Sequence, residues 1–127
     1  MEQKYIKGDI VMYDNKIHTI MDKLELNNYE LSYIEHPVHQ LELSGVPITP
    51  EILEKNGWDF IGYKMDFNGT LLNICCKHDI LPYLYYYYAT ESFSVSIHGK
   101  IVLPNIKYIY ELQHLLFGIG LNSEMEV

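Results

Sequence analysis

The chain has 127 residues, 48% of them apolar and 20% charged, with a mean hydropathy of −0.08, which suits a single domain of the usual ~100–200 residues and needs neither disulfides nor a metal to fold. Its formal net charge is −8 and all nine basic residues are lysines; without arginine, whose planar fork reads phosphate and guanine edges best, a duplex nucleic-acid surface is not expected. The longest apolar stretch, Ile80 to Ala89, has ten residues where a bilayer span needs ~20, and Met1-Glu2-Gln3-Lys4 lacks the apolar core of a signal peptide, so a cytoplasmic protein with no membrane segment is expected.

In chain order, residues 1–45 read as short strands. Ile10 to Tyr13, the turn pair Asp14-Asn15 and Lys16 to Met21 form a β-hairpin pattern. Tyr29 to Ile34 and Val38 to Leu43 alternate as two further strands, with Pro37 marking a break. Four such strands fit a small, strongly bent, SH3-like sheet.

Residues 46–57 carry the clearest local signal. Thr49 is a good N-cap, Pro50 suits the first helical position, Lys55 falls in the last turn and Gly57 can close the helix in a left-handed conformation. A two-turn linking helix results, pinned by Ile52 and Leu53.

From residue 58 the pattern is an antiparallel meander: strands at about 58–66, 70–77, 82–90 and 92–103, the last folding back over His98-Gly99. Pro104-Asn105 is expected to open a C-terminal helix running to Gly118. Ile106, Ile109, Tyr110, Gln113, Leu116 and Phe117 recur along it at helical spacing, and Leu112, Leu115 and Ile119 widen the stripe. The predicted fold is therefore α+β: one domain over residues 1–127, with the C-terminal helix packed on the meander.

The run Tyr83-Leu84-Tyr85-Tyr86-Tyr87-Tyr88 is the most unusual segment. On a strand, Tyr86 and Tyr88 share a face with Leu84, while Tyr83, Tyr85 and Tyr87 share the other. If one face meets the helix, the other meets solvent, a second subunit or a ligand. Tyrosine suits such surfaces because it brings large area, little rotamer entropy and one polar tip. A strand covered on both faces by its own domain is the competing reading. As a binding surface, Tyr85, Tyr86, Tyr87, Tyr88 and Trp58 are the candidates for a ligand or partner; a nucleotide-derived signal could stack on Tyr86, Tyr88 or Trp58, with Lys64 or Lys100 near its phosphate. Gln113 lies on the buried stripe, where its amide needs partners; it would line any pocket between helix and sheet.

Other chemistry is thinly represented. His36 and His39 have a His-x-x-His spacing, but three residues apart on a strand they point to opposite faces. Cys75 and Cys76 are adjacent, so two free thiols are expected rather than a strained vicinal disulfide, in keeping with a reducing compartment. With His78 and Asp79 nearby they invite a catalytic reading, yet no base or oxyanion site is evident. Glu25, Glu30, Glu35 and Glu42 read as a solvated face. No phosphate loop, nucleophile elbow or zinc-protease motif occurs. No catalytic residue, metal site or cofactor is predicted.

Two segments together carry a family resemblance. Val46-Pro47-Ile48-Thr49-Pro50-Glu51-Ile52-Leu53-Glu54-Lys55-Asn56-Gly57-Trp58 resembles the "P-I-x-L-T-E-E-x-L-x-x-x-G-F" segment of small proteins from Bacteroidota phages, prophages and mobile elements. Ile106-Lys107-Tyr108-Ile109-Tyr110-Glu111-Leu112-Gln113-His114-Leu115-Leu116-Phe117 resembles their closing "I-x-Y-V-H-x-L-Q-N-L-Y-F-A-L" helix, and Gly8-Asp9-Ile10-Val11 their usual opening. The resemblance implies a phage-type origin and a bacterial host cell. The expectation is then a non-enzymatic, homo-oligomeric binding protein with an anti-defence role. It would sequester a host nucleotide-derived immune signal or inhibit a host protein. A virion or assembly accessory protein is the alternative.

Overall fold

A computed structural model describes residues 2–66, 68–78, 80 and 82–127. Among them are ten strands in two antiparallel five-stranded sheets, together with two α-helices. The architecture is mixed α+β with strands predominant. The chain divides into two compact units, residues 1–47 with 108–125, and residues 48–107 with 126–127.

The first unit holds β1 (Ile10–Tyr13), β2 (Lys16–Lys23), β3 (Asn28–Leu31), β4 (Val38–His39) and β5 (Ser44–Gly45), in the spatial order β4-β3-β2-β1-β5. Asp14 and Asn15 both take left-handed backbone angles, φ 50 and 60, as a two-residue hairpin turn between twisted strands requires. Alternation along the strands sends Val11, Ile20, Tyr29, Leu31 and Val38 into one core with Tyr5 and Leu43. The expected strand from Val38 to Leu43 is shorter. His39 stops it by capping a 3-10 turn at Gln40–Glu42. The His39 ring accepts the Leu41 N–H at 3.1 Å, and the Glu42 carboxylate accepts the His39 N–H at 3.0 Å.

The C-terminal helix, α2 (Ile109–Gly118), also belongs to this unit. Two expectations are corrected here. The helix begins five residues later than Pro104, because the Ile109 N–H donates to the Val46 carbonyl at 2.8 Å and Pro47 bridges Tyr108, keeping the chain extended up to the cap. The Cβ-free Gly45 permits this approach, since a side chain there would run into the Tyr108 ring. And the sheet on which α2 packs is that of its own unit, with the contact at β1. Ile109, Leu112, Gln113 and Leu116 are buried, whereas Phe117 is 65% exposed, so the apolar stripe is narrower than its sequence spacing implied.

Gln113 is the polar fastening of that contact. Its Oε1 accepts the Ile10 N–H at 2.9 Å, and its Nε2 donates to the Gly8 carbonyl at 2.9 Å and the Ser123 carbonyl at 3.1 Å. Both of its amide donors and its carbonyl oxygen serve the backbone around β1 and the C-terminal segment. Beside these bonds, the buried Asp9 carboxylate accepts the Ile6 N–H at 2.9 Å and meets Nε2 of His114, the next residue of α2, at 2.6 Å. Burial raises the Asp9 pKa from 3.8, opposed by the Ile6 hydrogen bond and by His114.

The second unit holds α1 (Pro50–Lys55), β6 (Trp58–Met65), β7 (Leu71–Lys77), β8 (Tyr83–Tyr87), β9 (Ser92–Ile97) and β10 (Lys100–Ile106). Its sheet is a meander in the order β10-β9-β8-β7-β6. Thr49 caps α1 by accepting the Ile52 N–H at 3.2 Å, and Leu53 is fully buried. His98 and Gly99, φ 53 and 80, turn β9 into β10. Pro104 and Asn105 lie inside β10; as an edge strand it tolerates a residue with no N–H to donate. The C-terminal residues are tied down by side chains of this unit, Asn56 exchanging hydrogen bonds with the Glu126 backbone at 2.8 Å in both directions.

Two measurements test this account. Gln113→Leu keeps the volume but orphans the Ile10 N–H and the Gly8 carbonyl, and should lower the unfolding free energy by about 1–3 kcal/mol per orphaned group, read by urea denaturation. Asp9 has a raised folded pKa, so its contribution is fully present below 3.8 and is lost as pH rises through the higher folded value, at about 1.4 kcal/mol per unit of displacement. Asp9→Asn should flatten that part of the stability–pH profile relative to the parent chain; superimposable slopes would refute the assignment.

Candidate functional site

The second sheet presents two unlike faces, and the pairing register says which residues share each. Leu72 stands opposite both Lys64 and Tyr87, Ile74 opposite Tyr85, and Tyr85 opposite Ser94. This face also carries Tyr83 and Ser96, which pair directly. β8 thus contributes a row of three tyrosines and β9 a row of three small serines, Ser92, Ser94 and Ser96, all three buried.

The sheet curls around this face. One concavity of about 440 Å³ is lined by Lys64, Met65 and Asp66 from one edge strand and its end, by Gly99 and Ile101 from the opposite edge, and by Leu72, Tyr85 and Tyr87 between them. Residues from both edges can line one hollow only if the sheet bends toward itself. A second hollow of about 330 Å³ shares Tyr85 and Gly99 with the first and adds Tyr83, Ser96 and His98. A third, of about 400 Å³, shares Asp66, Tyr87 and Ile101 and adds Thr70, Thr90 and Ser94. Together they form one trough along β8, with Tyr83 and Tyr87 about 13 Å apart at the rise of a strand. The size suits a small-molecule site, for which ~300–1,000 Å³ is usual.

The trough is apolar on its floor, through Leu72 and Ile101, with polar groups at separate points. Lys64 holds its ammonium 5.2 Å from the centre of the Tyr85 ring, a cation–π contact that also places a positive charge at the middle of the tyrosine row. Asp66 lies nearby, its Oδ1 accepting the N–H groups of Asn68 and Thr70 at 2.9 and 2.8 Å. Its carboxylate therefore orders the β6–β7 turn at the rim.

The opposite face is aromatic in a different way. Tyr86 packs against Phe93 at 4.7 Å and edge-on to Tyr88 at 4.9 Å, and Tyr63 stacks on Tyr88 at 6.4 Å. Hydrogen bonding to Tyr88 raises the Tyr63 phenol pKa. Asn73 donates to the Tyr88 hydroxyl at 3.3 Å, while its own carbonyl oxygen is buried with no partner.

Of the residues singled out in the sequence, the structure brings together Lys64, Tyr85 and Tyr87. It places Tyr86 and Tyr88 on the reverse face. Trp58 is 1% exposed and belongs to the core. Lys100 is exposed at the start of β10 and is not among the lining residues of the trough. Gln113 lies in the other unit, fully engaged with backbone. Sequence reasoning passed over Asp66, Ser94, Ser96 and Ile101. The signal for the serines was legible: Ser92-Phe93-Ser94-Val95-Ser96 alternates small polar with large apolar, which on a strand makes one face small.

Elsewhere the histidines and cysteines have local explanations. His36 is exposed, with Nδ1 3.1 Å from the Pro37 carbonyl, and His39 is the cap already described. Both cysteines are free, Cys75 buried and Cys76 half-buried. His78 is exposed on the β7 end, and Asp79 falls outside the described residues. No helix among the described residues is long and apolar enough to cross a membrane. Comparisons with protein-family models, curated proteins and solved structures returned no match for the chain.

Burial, with the neighbouring Cys76 next in effect, pushes the Cys75 thiol pKa up to about 12. At pH 8 it should therefore stay a thiol, and iodoacetamide should modify Cys75 only after denaturation. Mass-spectrometric mapping of the native chain that finds Cys75 labelled as fast as a free cysteine would contradict this burial.

Proposed function

We propose that the chain is a non-enzymatic binding protein and that the trough of its second sheet is the ligand site. The observation that carries this reading is the continuity of the trough: one concave surface with three tyrosines at two-residue spacing and a lysine fixed over the central ring. The ligand class we favour is nucleotide-type. A base stacks on the tyrosine row, where each base–aromatic contact is worth about 1–3 kcal/mol. A phosphate is met by Lys64, and the hydroxyls of Ser94, Ser96 and Thr70 supply neutral hydrogen bonds.

Charge distribution supports the choice of unit. The first unit has four lysines against ten acidic residues, the second five against seven. Most of the net negative charge therefore belongs to the first unit, and the unit that carries the trough, nearer to neutral, is the better host for an anion. With the phage-type resemblance, the role that fits is sequestration of a host nucleotide-derived immune signal, held and not turned over, in the cytoplasm of a bacterial host. The first unit we read as SH3-like; its strand order and the 3-10 turn between β4 and β5 support that reading.

The test is a thermal-shift panel of cyclic dinucleotides and ADP-ribose derivatives, followed by calorimetry on any compound that stabilises the chain. A hit should bind at least about tenfold more weakly to Tyr85→Ala and to Lys64→Ala, and equally well to Lys100→Ala. If no compound in the panel raises the melting temperature, the nucleotide reading fails.

A further inference from the structure

The two sheets have four edges between them, and they are unequal as templates for another strand. In the first sheet the edges are β4 and β5, each two residues long. In the second sheet, β10 is broken by two register irregularities, by Pro104 and by a left-handed Asn105 at φ 57. Short strands, prolines and bulges are the devices that keep an edge from pairing. The remaining edge, β6, has eight residues, no proline and a single irregularity between Phe60 and Gly62. It is also uncovered: Ile61, Tyr63 and Met65 are 57%, 66% and 61% exposed, and Asp59 and Lys64 are exposed as well.

The sequence of β6 is complementary to itself when read antiparallel. A two-fold axis between Ile61 and Gly62 sets Asp59 opposite Lys64 of a second copy, Lys64 opposite the second copy's Asp59, and Phe60 opposite the second copy's Tyr63. Faces agree as well as charges. Asp59 pairs Cys76 and Lys64 pairs Leu72, an even number of residues apart on β7, so both point to the trough side; Phe60 and Tyr63 pair Cys75 and Asn73 and both point to the reverse side. The irregularity lies at the axis, so each bulge meets its own copy and the register on both sides is kept. Opposite charges and aromatic pairs directly across an antiparallel pair are each stabilising.

We propose that β6 is a self-association edge, and that two copies join there into one continuous ten-stranded sheet with Asp59–Lys64 ion pairs on either side of the axis. This closed, isologous contact uses the only long open edge among the described strands and does not depend on the identity of any ligand.

Light scattering and sedimentation on the full chain test it. The parent chain should show a monomer–dimer equilibrium. Asp59→Lys places two lysines across from two lysines, and Lys64→Asp places two aspartates across from two aspartates; each alone should weaken dimerisation at least about tenfold. Mixed in equal amounts, the two variants should form a heterodimer, because every cross-strand charge pair is then restored. Both positions are exposed, and far-UV circular dichroism checks that each variant is folded; Asp59→Asn and Lys64→Gln give the same comparison without charge reversal. The proposal is overturned if the parent chain is monomeric at about 1 mM, if it grows into open-ended oligomers, if it pairs with an unrelated extended peptide and not with itself, or if the mixed variants stay monomeric.

Discussion

Small side chains on one face of a β-sheet leave room for the sheet to curl toward that face. In the second unit this condition is met on β9, where Ser92, Ser94 and Ser96 are the buried inner residues. Bulges in the two edge strands supply the extra bend, at Phe60/Gly62 in β6 and twice in β10. Everything that resembles a site follows from that curl. Larger residues on β9 would fill the trough and flatten the sheet. The tyrosines of β8 would then form an exposed plate instead of one wall of a hollow.

The same row explains why six consecutive residues, Tyr83 to Tyr88, can be so rich in one amino acid without redundancy. Leu84 and Tyr86 point to the reverse side, where Leu84 is fully buried and Tyr86 rests on Phe93. Tyr85 is 8% exposed on the trough side, with the Lys64 ammonium over its ring. The half-buried Tyr87 joins it there, completing the hollow beside Leu72 and Ile101. A single strand therefore supplies core on one face and a lined cavity on the other, and tyrosine serves both because it carries a large apolar ring and a polar tip.

What was legible in the sequence was local. The Asp14-Asn15 and His98-Gly99 turns, the Thr49-Pro50 helix start and the meander from Trp58 onward all rest on residues within a few positions of one another. What was not legible depended on distant partners. Pro104-Asn105 has the composition of a helix opening, but the segment pairs with β9 as an edge strand. The cap then falls at Tyr108, where the antiparallel contact with Val46 and Pro47 ends. The sheet that receives α2 could not be read from its apolar stripe, because such a stripe says that a helix is buried and not against what. Gln113 held that information, since an amide on a buried face has to meet backbone, and the backbone it meets is that of Gly8 and Ile10. In the site, the tyrosine run was visible but its division into two faces mattered more than its length. The serines opposite it, which make the hollow, are legible as an alternation but, being small, announce no chemistry of their own.

Lys64 ties the two surfaces of the second unit together. It stands on the edge strand, yet its ammonium reaches across β7 to the Tyr85 ring inside the trough. An anionic ligand group in the trough and the Asp59 carboxylate of a second copy would therefore draw on the same positive charge from opposite sides. Two partners that share one cation oppose each other, and the penalty is reciprocal: whatever affinity the ligand loses on dimerisation, the dimer loses on ligand binding. A neutral ligand held by the tyrosines and serines alone carries no such penalty. The sign of the coupling between ligand and self-association thus reports whether charge or stacking dominates recognition in the trough.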